Sequence, residues 1–392
     1  MDIKPSKRLE SLKSYAFDDV EKEVSKLKAK GIFPIDFGVG DPKDPTPNVI
    51  RSCCKRAIDK RKSSGYPNYI GDYEFRSEIK LFMKIRHNIE LDENKEIMST
   101  IGSKEAIFNF PNAFVEDKDY VLVPNPGYPP YETGTIMAGG TPYFMNLTKE
   151  NNFYPDFDLI PKKVLKKAKI MWLNYPNNPT SQVASAEFYK KAYDFCQKNN
   201  IILASDEAYT DNYFEKKPIS ILNVGKKGVI VFKSFSKMAN MTTYRVGWCC
   251  GDEKIIEVFK KLKTNIDSGT PTFVQDAGIA ALEDDNYHIQ LRNDYKFKRN
   301  AMIDAFTKIG LEVSNPEAGI YLWVKVPKKY NSLDFAKKLL EPEIAIVCTP
   351  GLWLGKEFEG KNPGEGYLRF ALVPTIEEIK EAANRIIYNL KF

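Results

Sequence analysis

Residues 201–237 have the sequence IILASDEAYTDNYFEKKPISILNVGKKGVIVFKSFSK, in which two short apolar runs each end in polar residues. The runs 201–204 and 229–232 show no alternation of apolar and polar residues, which is typical of strands buried on both faces. Asp206 follows the first run, and Lys237 closes the polar turn after the second. The two runs therefore predict strands of one sheet that helices cover on both sides.

The alternation of strands and helices continues on the N-terminal side of this stretch. Apolar runs at 120–123 and 170–173 end in turns rich in Pro and Asn, and 186–199 has the apolar spacing of a helix. We therefore predict an α/β fold. Its large domain, 48–284, is expected to contain a mainly parallel central sheet in a three-layer α/β/α arrangement.

The two ends of the chain predict a second, smaller α+β domain. Residues 285–392 contain two helical patterns and two strand-like stretches, at 286–309, 375–390, 319–326 and 367–372. Residues 1–47 carry an amphipathic helical pattern over 8–30 that Gly31 ends. We expect this N-terminal segment to join the smaller domain.

Composition excludes several classes of protein. The chain has 392 residues with 43% hydrophobic and 28% charged residues, which is ordinary for a globular protein with a large core. No run approaches the ~20 apolar residues of a membrane span, and the N-terminus lacks the apolar stretch of a secretory signal. Six cysteines without a CxxC pair do not suggest a disulfide scaffold, so we expect a cytoplasmic location.

Charge and histidine content exclude further functions. The net charge of +6 is small, and lysines are scattered among carboxylates, so we expect neither nucleic acid nor a membrane as a partner. The sequence has two histidines, His87 and His288, and they are far apart. This argues against a histidine-based metal site and against Ser-His-Asp catalysis, and we expect no metal.

The residues after the predicted strands are the candidates for chemistry, because ligands of open α/β sheets bind at the carboxyl ends of the strands. The chain contains no GxGxxG, GxxxxGK[ST] or GxSxG motif, which argues against dinucleotide, P-loop and hydrolase sites. The strands are followed instead by a set of amide, carboxylate, phenol, hydroxyl and basic groups: Asn178, Asp206, Tyr209, Ser234, Ser236, Lys237 and Arg245.

This set suits pyridoxal phosphate, which needs a lysine for an imine, a carboxylate for its ring nitrogen and a phosphate cradle. Lys237, next to a buried strand and near other cations, is expected to have a lowered pKa that favours the nucleophilic amine. Asp206, at the end of an apolar strand, would be costly without a partner, and a protonated ring nitrogen is a suitable one.

Each of these residues also has an ordinary structural explanation. Lys237 alone could be a surface lysine, and Asp206 could cap the next helix. Ser103 could be a helix cap, and Tyr128 could only pack in its Pro-rich turn. Arg369 could pair with any surface carboxylate. The order and spacing of the whole set carry the prediction.

Several motifs carry a resemblance to a known family. They are SFSK at 234–237 with TYRVG at 243–247, NNPT at 177–180, DEAY at 206–209, GSK at 102–104 and PGYP at 126–129. With them the chain resembles, over nearly its whole length, the class I/II aminotransferases of the fold-type I pyridoxal-phosphate superfamily. Ser181 stands where the family has a glycine after NNPT.

The resemblance implies a role for each matching residue around pyridoxal phosphate. Lys237 would carry the cofactor, Asp206 would bind the ring nitrogen and Tyr128 would stack on the ring. The phosphate and the 3′-oxygen would be bound by the other matching residues, which are Ser103, Lys104, Ser234, Ser236, Arg245, Asn178 and Tyr209.

The resemblance also implies a substrate clamp and a second subunit. Arg369, in YLRF at 367–370, matches the arginine that binds the substrate α-carboxylate, which Asn178 and the backbone of Gly40 also approach. Tyr66, five residues before Gly71, matches a tyrosine that reaches the phosphate of the neighbouring subunit. A homodimer with shared active sites is therefore expected.

The implied reaction is a ping-pong transfer of an amino group from an amino acid to 2-oxoglutarate, with Lys237 as general base and acid. The stretch KTNIDSGT at 263–270 has no arginine for a second carboxylate and is similar to that of LL-diaminopimelate aminotransferases. Ser103-Lys104 and Tyr15 resemble substrate-binding positions of the same group, although Tyr15 could only pack on a helix. The expected products are tetrahydrodipicolinate and glutamate.

Three alternatives to this substrate or reaction stay open. An aspartate- or alanine-type aminotransferase would use the same cofactor residues. A fold-type I carbon–sulfur lyase would use the same lysine and release ammonia. A non-catalytic binding protein with this fold is the third, and the intact set of Lys237, Asp206 and Arg369 argues against it.

Overall fold

The computed structural model describes residues 1, 3–12, 18–63 and 65–392, with the backbone alone for 18–21. The strands are β1 (Ile35–Asp36), β2 (Ile97–Thr100), β3 (Tyr120–Asn125), β4 (Thr141–Asn146), β5 (Ala168–Asn174), β6 (Ile202–Asp206), β7 (Val229–Ser234), β8 (Gly247–Gly251), β9 (Tyr321–Lys325), β10 (Ile346–Val347), β11 (Thr349–Pro350) and β12 (Tyr367–Ala371). The α-helices are α1 (Lys7–Glu10), α2 (Asp18–Ala29), α3 (Asn48–Lys60), α4 (Tyr73–His87), α5 (Ser103–Asn109), α6 (Pro129–Met137), α7 (Lys162–Leu165), α8 (Ala186–Asn199), α9 (Phe235–Met238), α10 (Glu253–Lys263), α11 (Thr272–Glu283), α12 (Asp285–Lys308), α13 (Ser332–Leu339) and α14 (Ile376–Asn389).

The large sheet has the strand order β2-β8-β7-β6-β5-β3-β4. β8 runs antiparallel to both of its neighbours, and the other pairs are parallel. The predicted mainly parallel sheet is therefore confirmed. In its register Asn174 lies opposite Asp206, so the ends of β5 and β6 present their polar groups side by side.

Successive residues of the central strands point to opposite faces of the sheet, and each face has its own apolar layer. Val229 and Val231 pack with α3, α4, α8 and α11, whereas Ile230 and Phe232 pack with α5, α6 and α10. All four side chains are fully buried, and each such burial contributes about 1.5–3 kcal/mol. This double burial explains why the strand sequences lack alternation, and it confirms the predicted helix–sheet–helix layers.

The C-terminal part forms a separate apolar cluster around the sheet β11-β12-β9. β1 pairs in parallel with β10, so that Ile35 lies opposite Ile346, and the neighbouring Phe37 packs edge-on against Phe370. The N-terminal segment thus packs on the C-terminal part, as predicted. The domain boundaries at 47/48 and 284/285 stay a prediction.

The predicted helix over 8–30 is wrong in one respect, because it is not continuous. α1 ends at Glu10, and Ser11 and Leu12 lie outside any helix. The hydroxyl of Ser11 donates to the carbonyl of Arg8 at 2.7 Å, a local bond of the kind that competes with further helical turns. α8, α12 and α14 lie within one residue of their predicted bounds. Of the helices within the described ranges, none combines the length and apolar character needed to cross a membrane.

Candidate active site

A cavity of about 620 Å³ opens at the carboxyl ends of β3, β5, β6 and β7. This is the edge at which an open α/β sheet binds its ligands. The residues predicted from the sequence that line this cavity are Gly40, Ser103, Lys104, Tyr128, Asn178, Asp206, Tyr209, Ser234, Ser236, Lys237, Arg245 and Arg369. Residues from both ends of the chain and from its middle therefore meet at one place.

Two predicted residues remain to be placed. Tyr66 is 87% exposed on the surface of its own chain. Tyr15 lies outside the described residues. The prediction that Tyr66 serves a neighbouring subunit is compatible with this exposure, and it stays a prediction.

Lys237 stands on α9, the short helix that follows β7 directly. The amide of Asn212 donates to the carbonyl of Lys237 at 3.1 Å and fixes the backbone at this point. Burial lowers the pKa of the Lys237 ammonium to about 8, although Asp41 raises it and Arg245 lowers it further. About one tenth of the amine is therefore neutral at pH 7, far more than for an ordinary lysine, and the neutral form is the one that a nucleophile or general base requires.

Asp206 ends β6 with its side chain 4% exposed. Its Oδ2 accepts a hydrogen bond from the Tyr131 hydroxyl at 2.7 Å, and its Oδ1 accepts one from the Ala208 amide at 3.2 Å. Burial raises the pKa of this carboxyl to about 6, against the opposing effect of Tyr131. A buried carboxylate that has only neutral donors around it is suited to a cationic ligand group such as a protonated ring nitrogen.

The neighbouring Glu207 points away from the cavity, because consecutive side chains at a strand end face opposite sides. Its Oε1 accepts hydrogen bonds from the Ser220 hydroxyl and the Ile221 amide, both at 2.9 Å. Burial raises the pKa of Glu207 to about 7. Of the two adjacent acids, Asp206 is thus the one that lines the cavity.

Arg369 is held in place by four groups before any substrate arrives. Its Nη1 donates to Oδ1 of Asn178 at 2.9 Å, and its Nη2 donates to the Gly38 carbonyl at 2.7 Å and to the Thr349 hydroxyl at 3.2 Å. The guanidinium carbon lies 4.8 Å from the ring centre of Tyr321. Its Nε is buried and has no partner among the described residues. This planar cation in the cavity wall is suited to a carboxylate.

The other end of the cavity is suited to a phosphate. Gly102 has a φ of 74°, and a Cβ at this position would lie 2.4 Å from Nη2 of Arg245. The Arg245 guanidinium therefore lies against the loop that leads into α5, where Ser103 begins the helix. Ser234 and Ser236 add hydroxyl groups to the same cavity. Backbone amides, hydroxyls and a guanidinium are the donors that phosphate groups bind.

The turn after β5 holds Ser181 in a backbone conformation that glycine adopts more readily. Ser181 has a φ of 57°, in the left-handed region, and its amide donates to the Asn177 carbonyl at 2.7 Å. The Ser181 hydroxyl also donates to the Tyr321 carbonyl at 2.8 Å. The amide of Asn178 donates to Oδ1 of Asn174 at 2.7 Å, which fixes the backbone of Asn178 at the cavity.

Sequence reasoning missed two tyrosines of the site. Tyr131 binds Asp206, and the spacing PGYPPY placed it one helical turn after Tyr128, which was the only signal for it. Tyr321 lines the cavity between Tyr209 and Arg369, and the sequence indicated only that it lies within a strand-like stretch, 319–326.

The model of the family described as aminotransferase class I and II matches residues 34–386. The chain belongs to this family. As a class I and II aminotransferase it uses pyridoxal phosphate, and its substrates are amino acids and oxo acids. The donors and charges of the cavity fit this cofactor, with a carboxylate, a lysine and phosphate-binding groups in separate parts of one space.

Two curated relatives of this aminotransferase cover nearly the whole chain. The LL-diaminopimelate aminotransferase of Aquifex aeolicus is 45% identical over 390 residues, which is 98% of this chain and 99% of the relative. LL-diaminopimelate aminotransferase 2 of Trichormus variabilis is 41% identical and covers 97% of each chain.

Solved structures agree with this fold. Substrate-bound BacF from Bacillus subtilis superposes with a TM-score of 0.91 at 33% identity, covering 100% of this chain and 99% of its own. An aminotransferase from Neisseria meningitidis has a TM-score of 0.90 at 31% identity and covers 97% of this chain and 98% of its own.

Proposed function

We propose that this aminotransferase acts on LL-diaminopimelate and 2-oxoglutarate. The products are glutamate and 2-amino-6-oxopimelate, which closes to tetrahydrodipicolinate with loss of water. The observation that carries the proposal is the presence of Lys104 in the same cavity as the fixed Arg369, in addition to the cations Lys237 and Arg245 that are assigned to the cofactor. The names of the relatives from Aquifex aeolicus and Trichormus variabilis support the same substrate.

The stretch 263–270 supports the choice against a strict aspartate enzyme. It has no arginine, and its one lysine, Lys263, is buried and binds Asp267 at 2.7 Å with Glu105 3.6 Å away. This ammonium is therefore neutralised within its own chain. It is not available for the side-chain carboxylate of a dicarboxylic substrate.

Each site residue receives a role that follows from its surroundings. Pyridoxal phosphate, when bound, supplies the electron sink that stabilises negative charge at the substrate Cα. Asp206 holds the proton on the ring nitrogen, with Tyr131 fixing the carboxylate. Arg369 and Asn178 bind the α-carboxylate and orient the Cα–H bond. Nζ of Lys237 removes the Cα proton as a neutral amine.

The remaining cofactor contacts are proposed on the same basis. Tyr128, which precedes α6, would stack on the ring, and Tyr209 would donate to the 3′-oxygen. Ser103, Ser234, Ser236 and Arg245 would bind the phosphate, and Lys104, which follows Ser103, would serve phosphate and substrate. The backbone of Gly40 closes the carboxylate end.

The proposal is tested with the purified, cofactor-loaded protein. LL-diaminopimelate with 2-oxoglutarate is expected to yield one glutamate for each tetrahydrodipicolinate, the latter detected with an aldehyde reagent. Faster turnover of aspartate or alanine as amino donor would refute the substrate assignment. Ammonia release without glutamate from a sulfur amino acid would identify a lyase instead.

We also propose a homodimer in which Tyr66 of each subunit completes the site of the other. Its support is the exposure of Tyr66, together with the half-exposed Tyr69 and Tyr73 that follow it closely in the sequence. Tyr66→Ala and Lys237→Ala variants, each nearly inactive alone, are mixed under conditions that let subunits exchange. A hybrid dimer has one intact site, so about one quarter of the sites of a randomly mixed sample should be active. No recovery of activity would exclude a shared site.

The division into domains and the cellular location are proposals as well. Separate apolar clusters around the large sheet and around β9, β11 and β12 support domains at 48–284 and 285–392, with 1–47 joined to the latter. All six cysteines are free thiols, which supports a cytoplasmic location.

A further inference from the structure

Tyr321 begins β9, and its side chain, 3% exposed, lies in the cavity wall between residues that serve different ends of the site. Its backbone is fixed by the Ser181 hydroxyl, which donates to the Tyr321 carbonyl at 2.8 Å. Its side chain contacts Tyr209, Arg369 and the loop at Gly40. Each contact constrains a different group.

The phenol of Tyr321 lies 3.1 Å from the phenol of Tyr209, and their rings meet edge to face with centres 5.5 Å apart. A phenol has one proton to donate. Burial, with a further contribution from Tyr321, raises the pKa of Tyr209 well above its usual value, so Tyr209 keeps its proton. If Tyr321 donates to Tyr209, the proton of Tyr209 is free for an acceptor in the cavity.

The ring of Tyr321 is a platform for Arg369. In the antiparallel pair β9–β12, Tyr321 lies opposite Ala371, so that Arg369 is its diagonal neighbour on one face. The guanidinium carbon lies 4.8 Å from the ring centre, a distance at which a cation is attracted to the ring face. The hydrogen bonds of Arg369 hold the edges of its guanidinium, and Tyr321 supports its plane.

The hydroxyl oxygen of Tyr321 also determines how closely the N-terminal loop at Gly40 approaches the Tyr321 side chain. A Cβ on residue 40 would lie 2.2 Å from Oη of Tyr321, so only glycine fits at this position. The loop is therefore in direct contact with Tyr321, and Gly38 of the same loop accepts a hydrogen bond from Arg369.

We propose that Tyr321 is a positioning residue for transamination. Its hydroxyl group directs the proton of Tyr209 towards the cofactor oxygen, and its ring holds Arg369 in place for the substrate carboxylate. This inference rests on the proposed cofactor and carboxylate roles of Tyr209 and Arg369. The two functions belong to different atoms of one side chain, so two substitutions separate them.

Tyr321→Phe removes the hydroxyl group and keeps the aromatic ring. A hydrogen bond donated to the cofactor's phenolic oxygen favours its ionised form, and Tyr209 donates more strongly while it accepts a bond itself. The pH midpoint of the cofactor's visible absorbance is therefore expected to rise. The rise should be about 0.3 pH units if the hydrogen bond from Tyr209 to the cofactor oxygen is weakened by about 10–30%. The cofactor should also dissociate more readily. KM for the amino donor should stay within twofold of the wild-type value.

Tyr321→Leu removes the ring as well. We expect KM for the amino donor to rise about tenfold over that of Tyr321→Phe, with a smaller change in kcat, because the buried cation–π contact with Arg369 is lost. If this variant does not fold, as judged by circular dichroism, Tyr321→Met fills a similar volume without a ring. Tyr154→Phe is the matched control, since Tyr154 donates to the Val183 carbonyl at 2.7 Å and does not line the cavity.

The outcomes separate this inference from the function on which it rests. A wild-type protein that neither binds pyridoxal phosphate nor transaminates would refute the proposed function. With an active wild type, an unshifted midpoint in Tyr321→Phe refutes the role of the phenol. A KM in the ring-free variant equal to that of Tyr321→Phe refutes the role of the ring.

Discussion

The buried carboxylate of Asp206 should destabilise the protein whenever the cofactor is absent. Asp206→Asn keeps the shape of the side chain and removes its charge. The Asn side chain can still accept from the Ala208 amide through Oδ1, and the Tyr131 hydroxyl can rotate to accept from Nδ2. We therefore expect the cofactor-free variant to be more stable than the cofactor-free wild type at neutral pH, although it is a poorer enzyme.

The magnitude follows from the pKa of Asp206. Its value of about 6 in the folded protein exceeds the ordinary 3.8 by 6 − 3.8 = 2.2 units, and at 1.36 kcal/mol per unit the charged form costs about 3 kcal/mol. A raised carboxyl pKa means that the folded state binds the proton more tightly. The contribution of Asp206 to the free energy of unfolding is therefore fully present below pH 3.8. This contribution is lost as the pH rises through about 6, because the carboxyl then becomes charged in the folded protein. The gain from Asp206→Asn should be about 3 kcal/mol at pH 7.5 and about half of that at pH 5.

Urea unfolding followed by circular dichroism at both pH values measures this difference on protein freed of cofactor. Asp194→Asn is the control, because Asp194 is an exposed acid paired with Lys190, and it should change stability by less than about 1 kcal/mol. Added pyridoxal phosphate should stabilise the wild type more than the Asp206→Asn variant. A variant that is less stable than the wild type at pH 7.5, or a difference that does not depend on pH, would refute this reasoning.

Two further predictions concern Lys237 and Arg369. Burial sets the pKa of the Lys237 ammonium to about 8 in the cofactor-free protein, so the rate of cofactor capture should rise from pH 6 to 9 with a midpoint of about 8, as measured by stopped-flow absorbance. A rate independent of pH would contradict this. Arg369→Lys loses the fork that binds Asn178 and Gly38, and kcat/KM for the amino donor should fall by at least about 30-fold, corresponding to about 2 kcal/mol. A steady-state change of less than threefold would show that the planar fork is not required.

The sequence predicted those parts of the fold and site whose determinants are local. The strands at 201–204 and 229–232 could be recognised because burial on both faces removes every polar residue from a short run. Asp206 and Lys237 could be found because they stand directly after such strands, where a parallel sheet opens. Their neighbours in space then followed from the topology of the sheet.

The parts that the sequence did not predict depend on contacts between distant residues. Tyr321 is 112 positions from its partner Tyr209, and Tyr131 is 75 positions from Asp206, so no spacing rule connects them. At the end of α1 the Ser11 hydroxyl bonds to the Arg8 carbonyl, a local contact that leaves the apolar periodicity of the sequence intact and so gives no signal in it. Exposure of Tyr66 is likewise a property of the folded surface.

The hydrogen bond from Arg369 to Gly38 joins positions 331 residues apart, and β1 pairs with β10 over a similar separation. During synthesis, residues 35–41 leave the ribosome long before the strand that carries Arg369 has been made. The large sheet can assemble in the meantime, since its strands lie between these two segments. The carboxylate-binding wall of the cavity therefore cannot form until β12 has been made, and a nascent chain halted before residue 369 would carry the large sheet with Asp206 and Lys237 but lack the arginine of this wall.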